Sequence, residues 1–180
     1  GQFLAYISKV DALAHVVRVF EDERVHHAEG SVNPERDIGT MNLELAFSDM
    51  AIIERRLERL KTSLKGAKPQ ERELISKEQS LLDRIKSALE AEVSIRDQLL
   101  SENESKMLEN FQFLTAKPML ILLNIAEKQI PESRALEDRL GNQFRSPHCD
   151  VAALCGKLEM ELTQLGDAEA QELVGRAYRS

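Results

Sequence analysis

Asn124 and Glu127 stand three residues apart, directly after an apolar run, in the segment MLILLNIAEK. A carboxamide carries both donors and an acceptor, whereas an ionised carboxylate only accepts. Placed at the carboxyl edge of a buried strand, where open α/β sheets bind their ligands, the two can read the polar edge of a purine base. The same spacing also describes a helix N-cap followed by an exposed first-turn charge, and the pair alone fits either reading.

The acid decides which base would be read. In an Asn-Lys-x-Asp reader the Asp accepts hydrogen bonds from N1 and N2 of guanine. Adenine has a lone pair at N1 and no 2-amino group, so it repels a carboxylate placed there. Here the four positions are Asn124, Ile125, Ala126 and Glu127: the Lys is absent and the acid is one methylene longer. Losing a bidentate base contact removes about 1–3 kcal/mol of discrimination, so the expected pocket is relaxed or leans toward adenine.

Other chemistry is sparser. A phosphate-cradling loop needs Gly-x-x-x-x-Gly-Lys-Ser/Thr. The one Gly-Lys pair, Gly156-Lys157, is followed by Leu158 and has Val151 where the first Gly belongs. His15 lies inside an apolar run and reads as a structural histidine. His26 and His27 are adjacent and face opposite ways in an extended segment. His148, Cys149 and Cys155 offer three metal donors without a fourth, so no metal site is expected. With two cysteines the chain has no disulfide framework, and a reducing compartment is the simplest reading.

The net charge of −7 argues against a uniformly basic nucleic-acid binder. One local surplus stands out. Between Ile53 and Lys77, eight basic residues, including Arg55, Arg56, Arg59, Lys61, Lys65 and Lys68, face four acidic ones. They could form a salt-bridged helix surface or meet RNA phosphates, a contact that would weaken steeply with salt.

The elements that would position these residues follow from patterning. At 180 residues, 42% hydrophobic and 31% charged, the chain can build one core or a small core with an extension. Residues 12–20, ALAHVVRVF, read as a strand buried on both faces of a parallel sheet, after a short helical pattern at Phe3, Leu4, Ile7 and Val10. HAEGSVNPERDIG reads as turns. Met50, Ile53, Leu57, Leu60 and Leu64 then recur at alternating three and four, the spacing of a coiled-coil seam. Gly66 and Pro69 break that helix, and Leu74, Ile75, Leu81, Leu82, Ile85, Leu89 and Val93 mark a return helix running antiparallel to it. A further helix opens at Ser101 with Glu104 as its capping box and leads to Phe113. Strand grammar resumes at KPMLILLNIAE, followed by a partly helical PESRALEDRL, a short strand in CDVAALCGK and a helix AEAQELVGRAY. The expectation is an α/β sheet domain, residues 1–40 and 111–180, interrupted by a helical arm over residues 41–110. No apolar run approaches the ~20 residues that span a bilayer, and the expected location is cytoplasmic.

Several separated stretches, in order, resemble the YchF or Obg-like ATPase family. They are FLAYISKVDALAHVVRVFED (Phe3–Asp22), HAEGSVNPERDIGTMNLELAFSDM (His27–Met50), IERRLERL (Ile53–Leu60), LTAKPMLILLN (Leu114–Asn124) and CGKLEMEL (Cys155–Leu162). The family's Asn-x-x-Glu signature aligns with Asn124 and Glu127. The resemblance implies a partial P-loop NTPase-type parallel sheet with an inserted antiparallel hairpin, binding ATP, and GTP as a possible second nucleotide. It implies base contacts from Asn124, Ile125 and Glu127, with a last pocket loop at Cys155, Gly156 and Lys157. Cys155 stands where the family has Ser, Asn33 where it has Asp, and Ala28 where it has Val. It also implies magnesium in the intact family protein, and a ribosome or ribosomal RNA partner for the arm. The family's phosphate loop, its Asp-x-x-Gly segment and its C-terminal TGS domain are not found in the 180 residues. The chain is therefore expected to be an internal piece that binds nucleotide weakly and does not hydrolyse ATP. The alternative expectation is a non-catalytic helical module that binds protein or RNA.

Overall fold

In the computed structural model, residues 6–22, 24–27, 30–166, 169–171 and 173–174 are described. Contacts divide the chain into two compact units: residues 1–13 with 40–118, and residues 14–39 with 119–180.

The sheet unit holds three strands in the order β1 (Leu13–Arg18), β2 (Met119–Asn124), β3 (Cys149–Leu154). β2 and β3 are parallel, paired from Met119 with Cys149 to Asn124 with Leu154. β1 joins β2 through Leu13 N–H to Pro118 O at 2.9 Å and Val19 N–H to Asn124 O at 3.0 Å; both partners rise together, so this pair is parallel too. β2 alternates: Met119, Ile121 and Leu123 are buried, while Leu120 is exposed. β1 differs from the expected doubly buried strand. Only Val17 is fully buried and Val16 is 60% exposed: among the described residues β1 is an edge strand, and the face that carries Val16 is left uncovered. Behind the strands, α4 (Ser133–Phe144) contributes the buried Leu140, and α5 (Gly156–Leu162) contributes Leu158. A smaller cluster joins Ile125, Ile130, Cys155 and Leu158.

The long helix α1 (Pro34–Leu64) starts well before the seam residues, inside the stretch that reads as turns. Its start has a clear cause. Asn33 Oδ1 accepts from the Arg36 N–H at 3.0 Å, Pro34 fills the first helical position where no N–H is needed, and Glu35 and Asp37 lie in the first turn.

In the helical unit, α1 turns at residues 65–68 into α2 (Pro69–Glu90). Arg56 pairs with Glu78 and Glu54 with Lys86, so earlier residues meet later ones and the helices run antiparallel. Between them lie Ile53, Leu57 and Leu60 of α1 and Leu81, Leu82, Ile85 and Leu89 of α2, joined by Ile95, Leu108 and Phe113. Leu74 departs from the seam and is 68% exposed. Helix α3 (Glu102–Leu108) carries the expected capping box: Glu104 N–H donates to Ser101 Oγ, and Ser101 N–H to Glu104 Oε2 at 2.8 Å.

Asp49, wholly buried on α1, accepts from Leu114 N–H at 2.9 Å, Thr115 N–H at 2.8 Å and Thr115 Oγ1 at 2.7 Å. Arg96 donates to Thr115 O at 3.0 Å. Burial pushes the Asp49 carboxyl above its ordinary range, against the opposing pull of these hydrogen bonds and of Arg96. Of the expected helix at Phe3–Val10, Phe3 to Ala5 lie outside the described residues, Tyr6 and Ile7 are helical, and residues 8–10 form a turn; of AEAQELVGRAY, residues 169–171 and 173–174 are helical. Among the described residues no helix is long and apolar enough to cross a membrane.

Candidate functional site

The register of β2 against β3 sets Asn124 opposite Leu154, so two loops leave the sheet side by side at its carboxyl edge. They are fastened by backbone and side chain together. Ile125 N–H donates to Leu154 O at 2.9 Å, and Asn124 Oδ1 accepts from Gly156 N–H at 3.1 Å. A Cβ on residue 156 would lie 3.1 Å from that same Oδ1, so glycine gives the amide its close approach. With Oδ1 committed, Asn124 has its Nδ2 hydrogens for any further partner.

Glu127 and Lys157 meet at the rim, Oε2 to Nζ at 2.9 Å, with side chains 50% and 65% exposed. Lys157 also approaches Glu161 at 3.8 Å. Hydrogen bonding and charge from Glu127, with help from Glu161, hold the ammonium pKa above its ordinary value. Ile125 and Cys155 lie beneath, 2% and 0% exposed, packed with Ile130 and Leu158. The five candidate residues thus divide: Asn124, Gly156 and Glu127 present polar groups along the sheet edge, while Ile125 and Cys155 put their side chains into the floor.

Two positioning residues escape sequence reasoning. Gln129 accepts from Ala126 N–H at 2.9 Å and donates to Val19 O at 3.1 Å, bracing the loop after β2 against the end of β1. Glu137 accepts from Ala153 N–H at 2.7 Å. Gln three residues after Ala126 is a capping spacing, and it is the one sequence signal that could have marked Gln129.

A second cluster of polar residues surrounds the start of α1. His27 Nε2 lies 3.0 Å from Asp37 Oδ2, and Arg36 binds Asp37 Oδ1 at 2.8 Å. Burial lowers the His15 pKa, against the attraction of Asp37. His148 is exposed and Cys149 buried. Among the described residues no three His, Cys, Asp or Glu side chains converge to hold a metal ion.

The six candidate cations, Arg55, Arg56, Arg59, Lys61, Lys65 and Lys68, are not equivalent. Arg56 is tied bidentately to Glu78, at 2.6 and 2.8 Å, and lies against α2. Arg55 donates to Ala51 O at 3.0 Å but stays exposed, as do Arg59, Lys61, Lys65 and Lys68. On α1, Arg55 and Arg59 are four residues apart and share one stripe, while Lys61 falls on another; Lys65 and Lys68 lie in the turn that follows.

No family model matches the sequence. Among curated proteins it is similar to the ribosome-binding ATPase YchF of Bacillus subtilis, 33% identical over 173 residues, which covers 95% of this chain and 46% of that one. It is 36% identical over 126 residues to Obg-like ATPase 1 of Caenorhabditis elegans, covering 70% of this chain and 31% of the relative. The chain belongs to the YchF/Obg-like ATPase family. The YchF of Pasteurella multocida is 34% identical over 97% of this chain, and 47% of that protein is covered. The solved structure of the Schizosaccharomyces pombe YchF GTPase superposes with a TM-score of 0.83 at 28% identity, over 97% of this chain and 48% of that one. The chain spans about half the length of the full-length YchF proteins it matches.

Proposed function

We propose that this chain supplies the base-facing corner of a purine-nucleotide site in a ribosome-associated, YchF-type protein, with ATP as the favoured nucleotide. One observation carries the reading: Asn124 is fixed by Gly156 N–H at the carboxyl edge of two parallel strands, with Glu127 at the rim of the same pair of loops. An oriented carboxamide with free Nδ2 hydrogens suits a purine N7, and the Glu127 carboxylate suits an exocyclic amine. Ile125 and Cys155 form the floor. The names of the relatives, ribosome-binding ATPase and YchF GTPase, favour nucleotide and ribosome as ligands. These 180 residues contain no Gly-x-x-x-x-Gly-Lys-Ser/Thr, so ATP turnover and magnesium binding are not assigned to them. Calorimetry with ATP, ADP and GTP tests the reading. Submillimolar binding that prefers adenine and is lost in Asn124→Ala supports it; no heat with any nucleotide overturns it.

A second reading, the arm as an RNA-contacting module, is favoured by the five exposed cations Arg55, Arg59, Lys61, Lys65 and Lys68 on a hairpin with its own apolar core. Binding to ribosomal RNA should fall with salt and be lost in the triple variant R55E/R59E/K65E. Unchanged binding by that variant rejects the arm as the contact.

A further inference from the structure

The Glu127–Lys157 ion pair changes what the base corner can accept, in a way that Glu127 alone would not. A free carboxylate beside a purine offers two acceptor oxygens, the complement of the adjacent N1–H and N2–H donors of guanine. In this chain Oε2 is occupied by Lys157 Nζ at 2.9 Å. The oxygen that this pair leaves unengaged is Oε1, and it sits beside an ammonium that has further N–H groups to give and that crowds a second donor at Oε2. That acceptor-and-donor pair complements the N6–H donor and N1 acceptor of adenine and leaves one guanine donor without a partner. The pair joins the two loops that Asn124 and Gly156 already fasten, so its place relative to the amide is set by the register of β2 and β3.

We infer that Lys157 is a specificity-determining residue, which disfavours guanine by occupying one oxygen of Glu127 and favours adenine by placing a donor next to the other. The inference rests on the base-corner reading above and assigns its selectivity to one ion pair. Lys128, exposed beside Glu127 in sequence, has no such pairing among the described residues and serves as the charge control.

The test titrates the whole chain and its Lys157→Met, Lys157→Arg and Lys128→Met variants with ATP and with GTP, following the Gly156 amide by ¹⁵N-resolved NMR. The quantity read is the ratio of the two dissociation constants. Lys157→Met is expected to move the ratio toward GTP by about fivefold or more, the low end of the range for a bidentate base contact because the pair is exposed. Lys157→Arg and Lys128→Met should leave it within about twofold of the parent chain. Added salt should erode the preference of the parent chain and not that of Lys157→Met, since an exposed pair is screened. A Lys157→Met ratio equal to that of the parent chain overturns the assignment and leaves the base corner standing. A parent chain whose Gly156 amide responds to neither nucleotide overturns both.

Discussion

Replacing Asp49 with Ala removes the acceptor for Leu114 N–H, Thr115 N–H and Thr115 Oγ1 at a site that is 0–2% exposed. Each buried donor left without a partner costs about 1–3 kcal/mol, and partial relaxation keeps the sum below three times that figure. The expected destabilisation is about 3–5 kcal/mol, a large share of the ~5–15 kcal/mol that separates a folded domain from its unfolded chain. In urea, with a slope of about 2 kcal/mol per molar, the midpoint should fall by about 1.5–2.5 M. Asp49→Asn keeps an acceptor for Leu114 and lets the Thr115 hydroxyl turn to accept, so about 1–3 kcal/mol is expected. Asp83→Ala, on the exposed face of α2, should stay within about 0.5 kcal/mol.

The pH dependence supplies an independent check. Burial raises the folded pKa of Asp49 above its unfolded value, so between the two values the native state binds the extra proton. The contribution of Asp49 to stability is therefore greatest below the unfolded pKa and falls as pH rises through the window toward the folded pKa. Measured against Asp49→Asn, the wild-type chain should gain stability on acidification through that window. A midpoint shift for Asp49→Ala no larger than that of Asp83→Ala, or a difference from Asp49→Asn that is flat with pH, refutes the assignment.

Ser101→Ala should cost about 1 kcal/mol by removing the cap of α3, read as faster amide exchange at Glu104. Gly156→Ala exchanges a backbone gain of about 0.5–1 kcal/mol for a strained hydrogen bond of about 0.5–1.5 kcal/mol. Its melting temperature should move by only a few degrees while nucleotide affinity falls severalfold, whereas equal affinity would show that the amide needs no close approach. Asp22 is held down to about 2 by hydrogen bonds from Arg24, so its stabilising effect is present above the unfolded pKa and lost as pH falls toward 2. The Asp22 carboxyl ¹³C titration should show that midpoint and return toward ordinary values in Arg24→Met.

Features written in short spacings were legible in the sequence. The Ser101 to Glu104 box, the break at Gly66 and Pro69, and the apolar strand ending at Asn124 each depend on neighbours within one turn. The start of α1 was written locally too, as Asn33-Pro34, but the surrounding Gly, Ser and Asn suggested turns and concealed it. The unexpected exposure of β1 had a different origin, since the number of neighbours a strand has is a property of the sheet and not of its own residues. Nothing in the sequence around Asp49 marks it as buried. Its partners lie 65 and 66 residues away, a distance across which periodicity carries no information. Lys157 and Glu127, 30 residues apart, were each visible as family positions, but nothing in either sequence neighbourhood showed that they neutralise one another.

The placement of the candidate site is therefore a consequence of how the sheet packs. Met119, Ile121 and Leu123 of β2 and Cys149 and Val151 of β3 alternate with less buried residues, and they fix the register because a one-residue slip would turn an entire strand face outward. That register sets Asn124 against Leu154, which brings the Gly156 N–H within reach of the Asn124 amide. The same alignment brings Lys157 to Glu127. Apolar positions several residues upstream thus determine which polar atoms share the corner. If Glu127 and Lys157 read the base as proposed, changing either one alone leaves the fold intact, because both are exposed and neither contributes to the core that holds them.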